Sequence, residues 1–283
     1  MHKAYSEGRF IYKNAAGADL AFYLIQPRVR KYEKAPLIMH NIGGGWTHYE
    51  ITDNPVLGYA MQEKLLDEGF AIMATGHRGG DCGGQMGEIL SDLCDALIYV
   101  HSHNDAFSVD LQRIIPIGHS AGGHVSLMLA MAPGELIREY CMNSSDGFDY
   151  RCIGCISLAG PTILYPDPQS GELLFPFQHT ERITITHLFD GKDHTDPVYQ
   201  TYSPLCHVHG KVPPIGLVYG VLDDIVSVKQ GEMLYSALCG AGIRAELITV
   251  QGGGHSLVPE EGDMMPSREE IEIRLNEFCR SLL

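Results

Sequence analysis

The stretch Ile114-Ile115-Pro116-Ile117-Gly118-His119-Ser120-Ala121-Gly122-Gly123-His124-Val125 decides how this chain folds. A short apolar run ends at Gly118, and apolar positions resume through residues 125–131 as a helix. A strand turning that sharply into a helix strains its middle residue, and small neighbours let the turn close. Ser120, at the centre of Gly118-His119-Ser120-Ala121-Gly122, is then thrust outward. It lies beside a helix N-terminus, where free N–H groups and the helix dipole stabilise an oxygen that becomes negative. The rival reading is an ordinary tight strand-to-helix turn, and the rest of the chain separates the two.

Working outward, short apolar runs alternate with longer amphipathic stretches, the pattern of a mostly parallel sheet covered by helices. Strands are expected at residues 9–13, 20–25, 37–40, 70–75, 113–117, 153–158, 215–219 and 246–250, the first two as an antiparallel hairpin at the sheet edge. Ile89, Leu93, Ala96, Leu97 and Val100 repeat at helical spacing, with Asp92 and Asp95 on the polar side of a surface helix. A second helix over 230–239 stops at Gly240 and Gly242, and a last one opens with the capping box Ser267-Arg268-Glu269-Glu270. Residues 161–214, rich in Pro, Asp, His and Tyr, form the one long irregular stretch, and loops of that length usually carry function. The expectation is a single α/β domain over 1–283, with 161–214 as a cap inserted within it.

Composition narrows the function classes. The 283 residues are 45% hydrophobic and 19% charged, with a net charge of −15, which excludes disorder as the main state and argues against a nucleic-acid partner. No run approaches the roughly 20 apolar residues of a membrane helix. The first residues carry no apolar secretory core, so the chain reads as cytoplasmic. The eight scattered cysteines read as reduced thiols, and the one close pair, Cys152 and Cys155, falls in an expected buried strand whose faces it splits, unlike a metal or redox pair. No metal or cofactor is expected, and self-association into a homo-oligomer stays open.

A serine hydroxyl needs a base to become nucleophilic and a third group to orient the base. His255 follows the last strand on the flexible loop Gly252-Gly253-Gly254, at the carboxyl end of the sheet, and is assigned as the base. After the preceding strand come two adjacent acids; Asp223 is taken as the orienting group and Asp224 is held in reserve. Backbone donors for an oxyanion are expected from the glycine run after the third strand, Asn41-Ile42-Gly43-Gly44-Gly45-Trp46, together with Ala121. A phosphate-cradling loop would want a Gly-Lys-Ser/Thr ending, which is absent.

These blocks, with residues 107–114, Ser203-Pro204, the spacing Gly220-x-x-Asp223-x-x-Val226 and Gly254-His255, resemble the α/β-hydrolase superfamily, specifically small carboxylesterases of the acetylxylan, feruloyl and acetyl esterase type. The resemblance implies an α/β-hydrolase fold with eight strands. It implies the nucleophile Ser120, acid Asp223 and base His255, and oxyanion donors Gly44, Gly45 and Ala121. Trp46 and His119 are the candidate substrate contacts, Trp46 either by stacking on a sugar or phenolic ring or, equally, as a structural residue. The expected activity is hydrolysis of a small-molecule ester through an acyl-enzyme, without a cofactor. The family's usual His before the glycines is Ile42 here, and its His-Gly before the acid is Tyr219-Gly220. An amidase or peptidase of the same fold, and a catalytically silent binding relative, are the alternatives.

Overall fold

The computed structural model describes residues 7–15, 17–27, 29–48, 50–51, 59–132, 136, 148–174, 185–260 and 262–283. Its centre is an eight-stranded sheet in the order β1-β2-β4-β3-β5-β6-β7-β8. The hairpin β1 (Glu7–Ala15) and β2 (Ala18–Ile25) is antiparallel, and β2 joins the rest by an antiparallel pairing with β4 (Ala71–Thr75). From there β3 (Ala35–Asn41), β5 (Val109–His119), β6 (Cys155–Leu158), β7 (Ile215–Gly220) and β8 (Ala245–Val250) run parallel to β4. Strands covered on both faces read as unbroken apolar runs, which is why every residue of β4 and β7 is buried while β1, at the edge, has none that is fully buried.

One face carries α2 (Met86–Ser102), α4 (Ala121–Met131) and α6 (Val228–Gly240). The opposite face carries α1 (Tyr59–Asp67) and α7 (Arg268–Arg280). Two single helical turns, α3 (Asn104–Phe107) and α5 (Val198–Thr201), complete the α-helices among the described residues. None of these helices is long and apolar enough to cross a membrane. The expected capping box is present: Ser267 Oγ accepts the Glu270 N–H, and the Glu270 carboxylate accepts the Ser267 N–H at 2.8 Å.

Two expectations are corrected by the packing. Asp92 is fully buried rather than on a solvated helix face, because residues distant in sequence cover it. Arg78 grips its carboxylate with Nε and Nη2, both at 2.8 Å, and Lys13 donates at 2.8 Å from β1. Burial alone would raise the carboxyl's pKa, but the guanidinium and ammonium hold it below the usual range. A carboxyl depressed in the native state stabilises the fold above the unfolded pKa of about 3.9, and that contribution is lost as pH falls through the native value. Asp92→Asn is expected to cost about 3 kcal/mol at neutral pH, the low end for a broken buried pair because both cations stay part-exposed. Urea unfolding at pH 7 and pH 3 checks this, and the gap between the two proteins should narrow at the lower pH.

The second correction concerns Cys152 and Cys155. Only Cys155 lies in β6; Cys152 precedes it, next to the isolated bridge partner Ile114, with Sγ 3.8 Å from the Leu129 carbonyl oxygen. The seven cysteines among the described residues are free thiols.

Residues 161–174 and 185–214 are welded to the body by buried polar bonds. Gln230 Oε1, at the start of α6, accepts the Thr162 and Ile163 N–H groups at 2.6 and 2.9 Å. Ser203 Oγ accepts from the Leu164 N–H at 2.9 Å and donates to the Tyr199 carbonyl at 2.7 Å, which gives the Ser203-Pro204 block its structural task. Phe189 and Tyr199 are buried against each other, ring centroids 4.3 Å apart, so these aromatics pack the segment itself. Phe175 and Phe177 lie outside the described residues.

Candidate active site

Strand β5 runs through the middle of the sheet and ends one residue before Ser120, which adopts φ +57 and ψ −125. A non-glycine residue in that region costs roughly 1–3 kcal/mol and persists only where its surroundings fix it. They do so here. The Ser120 N–H donates to the Leu158 carbonyl at 2.8 Å and its own carbonyl accepts the His124 N–H at 3.0 Å. A Cβ at Gly122 would stand 2.2 Å from the Asn41 carbonyl oxygen, and one at Gly118 would meet the Gly122 carbonyl carbon at 2.3 Å. Only glycine lets α4 close onto β3 and β5 at this turn.

The loops after β7 and β8 deliver the other two side chains. The Leu222 N–H donates to the Gly253 carbonyl at 3.0 Å and the Val221 N–H to the Val250 carbonyl at 3.0 Å, binding the two loops together. The loop carrying His255, expected to be flexible, is closed by bonds between Gln251 and Met265 and by the Glu260 N–H on the Gly252 carbonyl at 2.9 Å. His255 Nε2 lies 2.9 Å from Ser120 Oγ, and His255 Nδ1 lies 2.8 Å from Asp223 Oδ2. The Asp223 side chain is fully buried, and its other oxygen accepts the Ile225 and Val226 N–H groups at 2.8 Å each. With both carboxylate oxygens occupied, Asp223 has one orientation. Asp224 is exposed and makes no bond to the imidazole.

The glycine loop comes close to the same serine. A Cβ at Gly43 would lie 2.5 Å from the His119 carbonyl oxygen and 3.8 Å from Ser120 Cβ. Gly44 and Gly45 take φ +103 and +66, and among the described residues the N–H groups of Gly44, Gly45 and Ala121 have no acceptor. Asn41, missed as a contributor, is buried at the root of this loop, and its Nδ2 donates to Ser126 Oγ at 2.9 Å. That bond ties the loop to α4.

Trp46 is only 1% exposed, so its indole packs in the core, which is the structural alternative of its two expected roles rather than stacking on a substrate ring. Its φ of +58 turns the side chain inward, where Nε1 meets His124 Nδ1 at 3.2 Å. His119 points to the other side of the sheet. It lines a cavity of about 210 Å³ with Met61, Ile117, Leu158 and Leu257, and its Nε2 donates to the His255 carbonyl at 2.7 Å. Burial pulls the His119 pKa below the ordinary value, which keeps the ring neutral and able to make that single donation.

A mostly parallel sheet, a strained serine at its central elbow and an imidazole and carboxylate on the loops after the last two strands define the α/β-hydrolase fold. The chain belongs to the BD-FAE family, whose profile matches residues 22–238. It is similar to esterase LipC of Mycobacterium tuberculosis, 24% identical over 250 residues, covering 87% of this chain and 59% of LipC. It thus spans less than two thirds of that relative's length. Among solved structures it superposes on a truncated carbohydrate esterase from gut microbiota with a TM-score of 0.74 at 19% identity, covering 100% of this chain and 98% of that one. It also superposes on an esterase from Thermogutta terrifontis with propionate bound, TM-score 0.74 at 20% identity, covering 99% and 96%.

Proposed function

We propose that this protein is a serine carboxylesterase working by two-step acyl transfer. The observation that carries the reading is the unbroken hydrogen-bonded line from Asp223 through His255 to Ser120, at 2.8 and 2.9 Å. His255 Nε2 takes the proton of Ser120 as Oγ attacks the ester carbonyl, and returns it to the leaving alcohol. Asp223 holds the proton of the imidazole on Nδ1, leaving Nε2 free to accept, and stabilises the imidazolium that forms. The oxyanion is received by the N–H groups of Gly44, Gly45 and Ala121, each worth about 2.7–4 kcal/mol in the transition state. Water then attacks the acyl-enzyme by the same route.

The substrate class we infer is a short acyl ester of a carbohydrate or a small phenolic alcohol, with residues 161–214 acting as the cap that shapes its pocket. The resemblance to acetyl and feruloyl esterases supports this, as do neighbours described as a carbohydrate esterase and as a propionate-bound esterase. The free thiols among the described residues suit a reducing compartment such as the cytoplasm. Rates on p-nitrophenyl acetate, p-nitrophenyl butyrate, methyl ferulate, acetylated xylo-oligosaccharides and a matched p-nitroanilide test the assignment. Acetyl esters should be turned over fastest and the anilide slowest; a faster anilide would replace the esterase reading with an amidase.

A further inference from the structure

His124 lies one helical turn beyond Ser120, fully buried in a part of α4 where nearly every neighbour is buried too. A buried polar ring must find partners, and it finds one for each nitrogen. The indole N–H of Trp46 is a donor only, so His124 Nδ1 accepts it through its lone pair at 3.2 Å. The ring proton therefore resides on Nε2, which donates to the Tyr202 carbonyl at 2.7 Å. Burial lowers the pKa of this imidazole to about 4, so the neutral tautomer that both bonds require holds at neutral pH. The two rings meet edge to face, centroids 5.2 Å apart at 83°.

The partners lie on either side of the serine turn. Trp46 directly follows the three glycines, and its positive φ is one of three consecutive left-handed conformations, at 44, 45 and 46. Such a run is costly for a tryptophan and holds only if the side chain is fixed. Tyr202 closes α5 in the segment 185–214. One imidazole thus joins the helix that carries Ser120, the loop that offers the Gly44 and Gly45 N–H groups, and the segment beyond them.

The geometry points to His124 as a positioning residue that clamps Trp46 and so holds the glycine-loop donors in register with Ser120 Oγ. This rests on reading Ser120 and those donors as the reacting centre. Both rings are buried and so offer no surface to an ester at Ser120 Oγ, and the clamp therefore acts on kcat rather than on KM. Loss of the clamp lets the donors drift, and displacement of a positioned donor by about 1 Å costs on the order of a hundredfold.

Trp46 is the only tryptophan in the chain, so the emission reports on the surroundings of this one ring. His124→Met fills the volume but loses both bonds; His124→Gln keeps an acceptor for the indole and a donor for the carbonyl. In folded His124→Met, kcat on p-nitrophenyl acetate should fall roughly 10- to 100-fold with KM little changed, and Trp46 emission should shift to the red. His124→Gln should restore most of both. Trp46→Phe should lower kcat as His124→Met does, and the double variant should be no worse than either single one. If His124→Met does not fold, Trp46→Phe decides the matter. Wild-type kcat in the folded single variants, or an unchanged emission maximum in His124→Met, overturns the clamp. A wild type that neither turns over esters nor reacts with a fluorophosphonate overturns the esterase reading instead, and the emission comparison still tests the contact.

Discussion

Ser120→Ala is expected to lower kcat on p-nitrophenyl acetate by on the order of 10⁶-fold while leaving thermal unfolding nearly unchanged. The substitution removes one oxygen and nothing that holds the turn. The strained φ of +57, the N–H bond to Leu158 and the carbonyl bond from His124 all belong to the backbone, and alanine keeps them. The line from Asp223 to His255 also survives, because His255 Nδ1 to Asp223 Oδ2 does not involve residue 120. What goes is the covalent route. The remaining rate is that of water attacking an ester held against the glycine loop. Steady-state kinetics with a melting curve on the same sample checks both halves, and a folded Ser120→Ala with more than a small fraction of wild-type turnover would remove Ser120 from the reaction.

Asp223→Asn should cost about 10⁴-fold in kcat, whereas Asp224→Asn should change it by no more than about twofold, as for other exposed positions. The two positions differ in which atoms face them. Its Oδ1 accepts two backbone N–H groups and its Oδ2 accepts from His255 Nδ1. An asparagine must turn its NH₂ toward one of those two sets. Turned toward Ile225 and Val226, it opposes two donors with a donor; turned toward His255, it drives the imidazole proton to Nε2, where the serine proton needs to go. The second is the cheaper arrangement, since it sets one bond against two. The enzyme then folds with its base in the wrong tautomer. Comparing kcat for the two variants at pH 7 tests the choice between neighbours, and equal losses at 223 and 224 would contradict it.

The turn at Ser120 was legible from the chain alone because its constraint is local. Two glycines flanking a serine between a strand and a helix are demanded by backbone atoms within a few residues, and the approach of Asn41 to Gly122 shows the demand in space. The alternation of short apolar runs with amphipathic ones was legible for the same reason, although the strands extend beyond the expected limits at β1, where Glu7, Gly8, Asn14 and Ala15 continue the hairpin ladder, and at β5, where Val109 and Asp110 pair with Ala35 and Pro36. Asp92 was misread because helical spacing tells which residues share a face but not what covers it, and Lys13 and Arg78 arrive from other elements. The choice between a stacking and a structural role for Trp46 was not legible, because residue type carries no sign of the positive φ and the burial found at this position. His124 stood in the quoted motif without a task because its partners lie 78 residues away on either side. The signal was present nonetheless: a histidine in an otherwise apolar helical run must be paired somewhere. Chain order also named Ser120, Asp223 and His255, but a sequence contains no distances, and the catalytic reading depends on them.

The central claim is that Ser120 forms a covalent bond to the substrate's acyl group. Intact mass and peptide mapping of the folded protein after exposure to a fluorophosphonate test it most directly. A single adduct is expected on the peptide containing Ser120 and none in Ser120→Ala; a folded wild type left unmodified, or a Ser120→Ala protein modified to the same extent, would rule Ser120 out as the nucleophile.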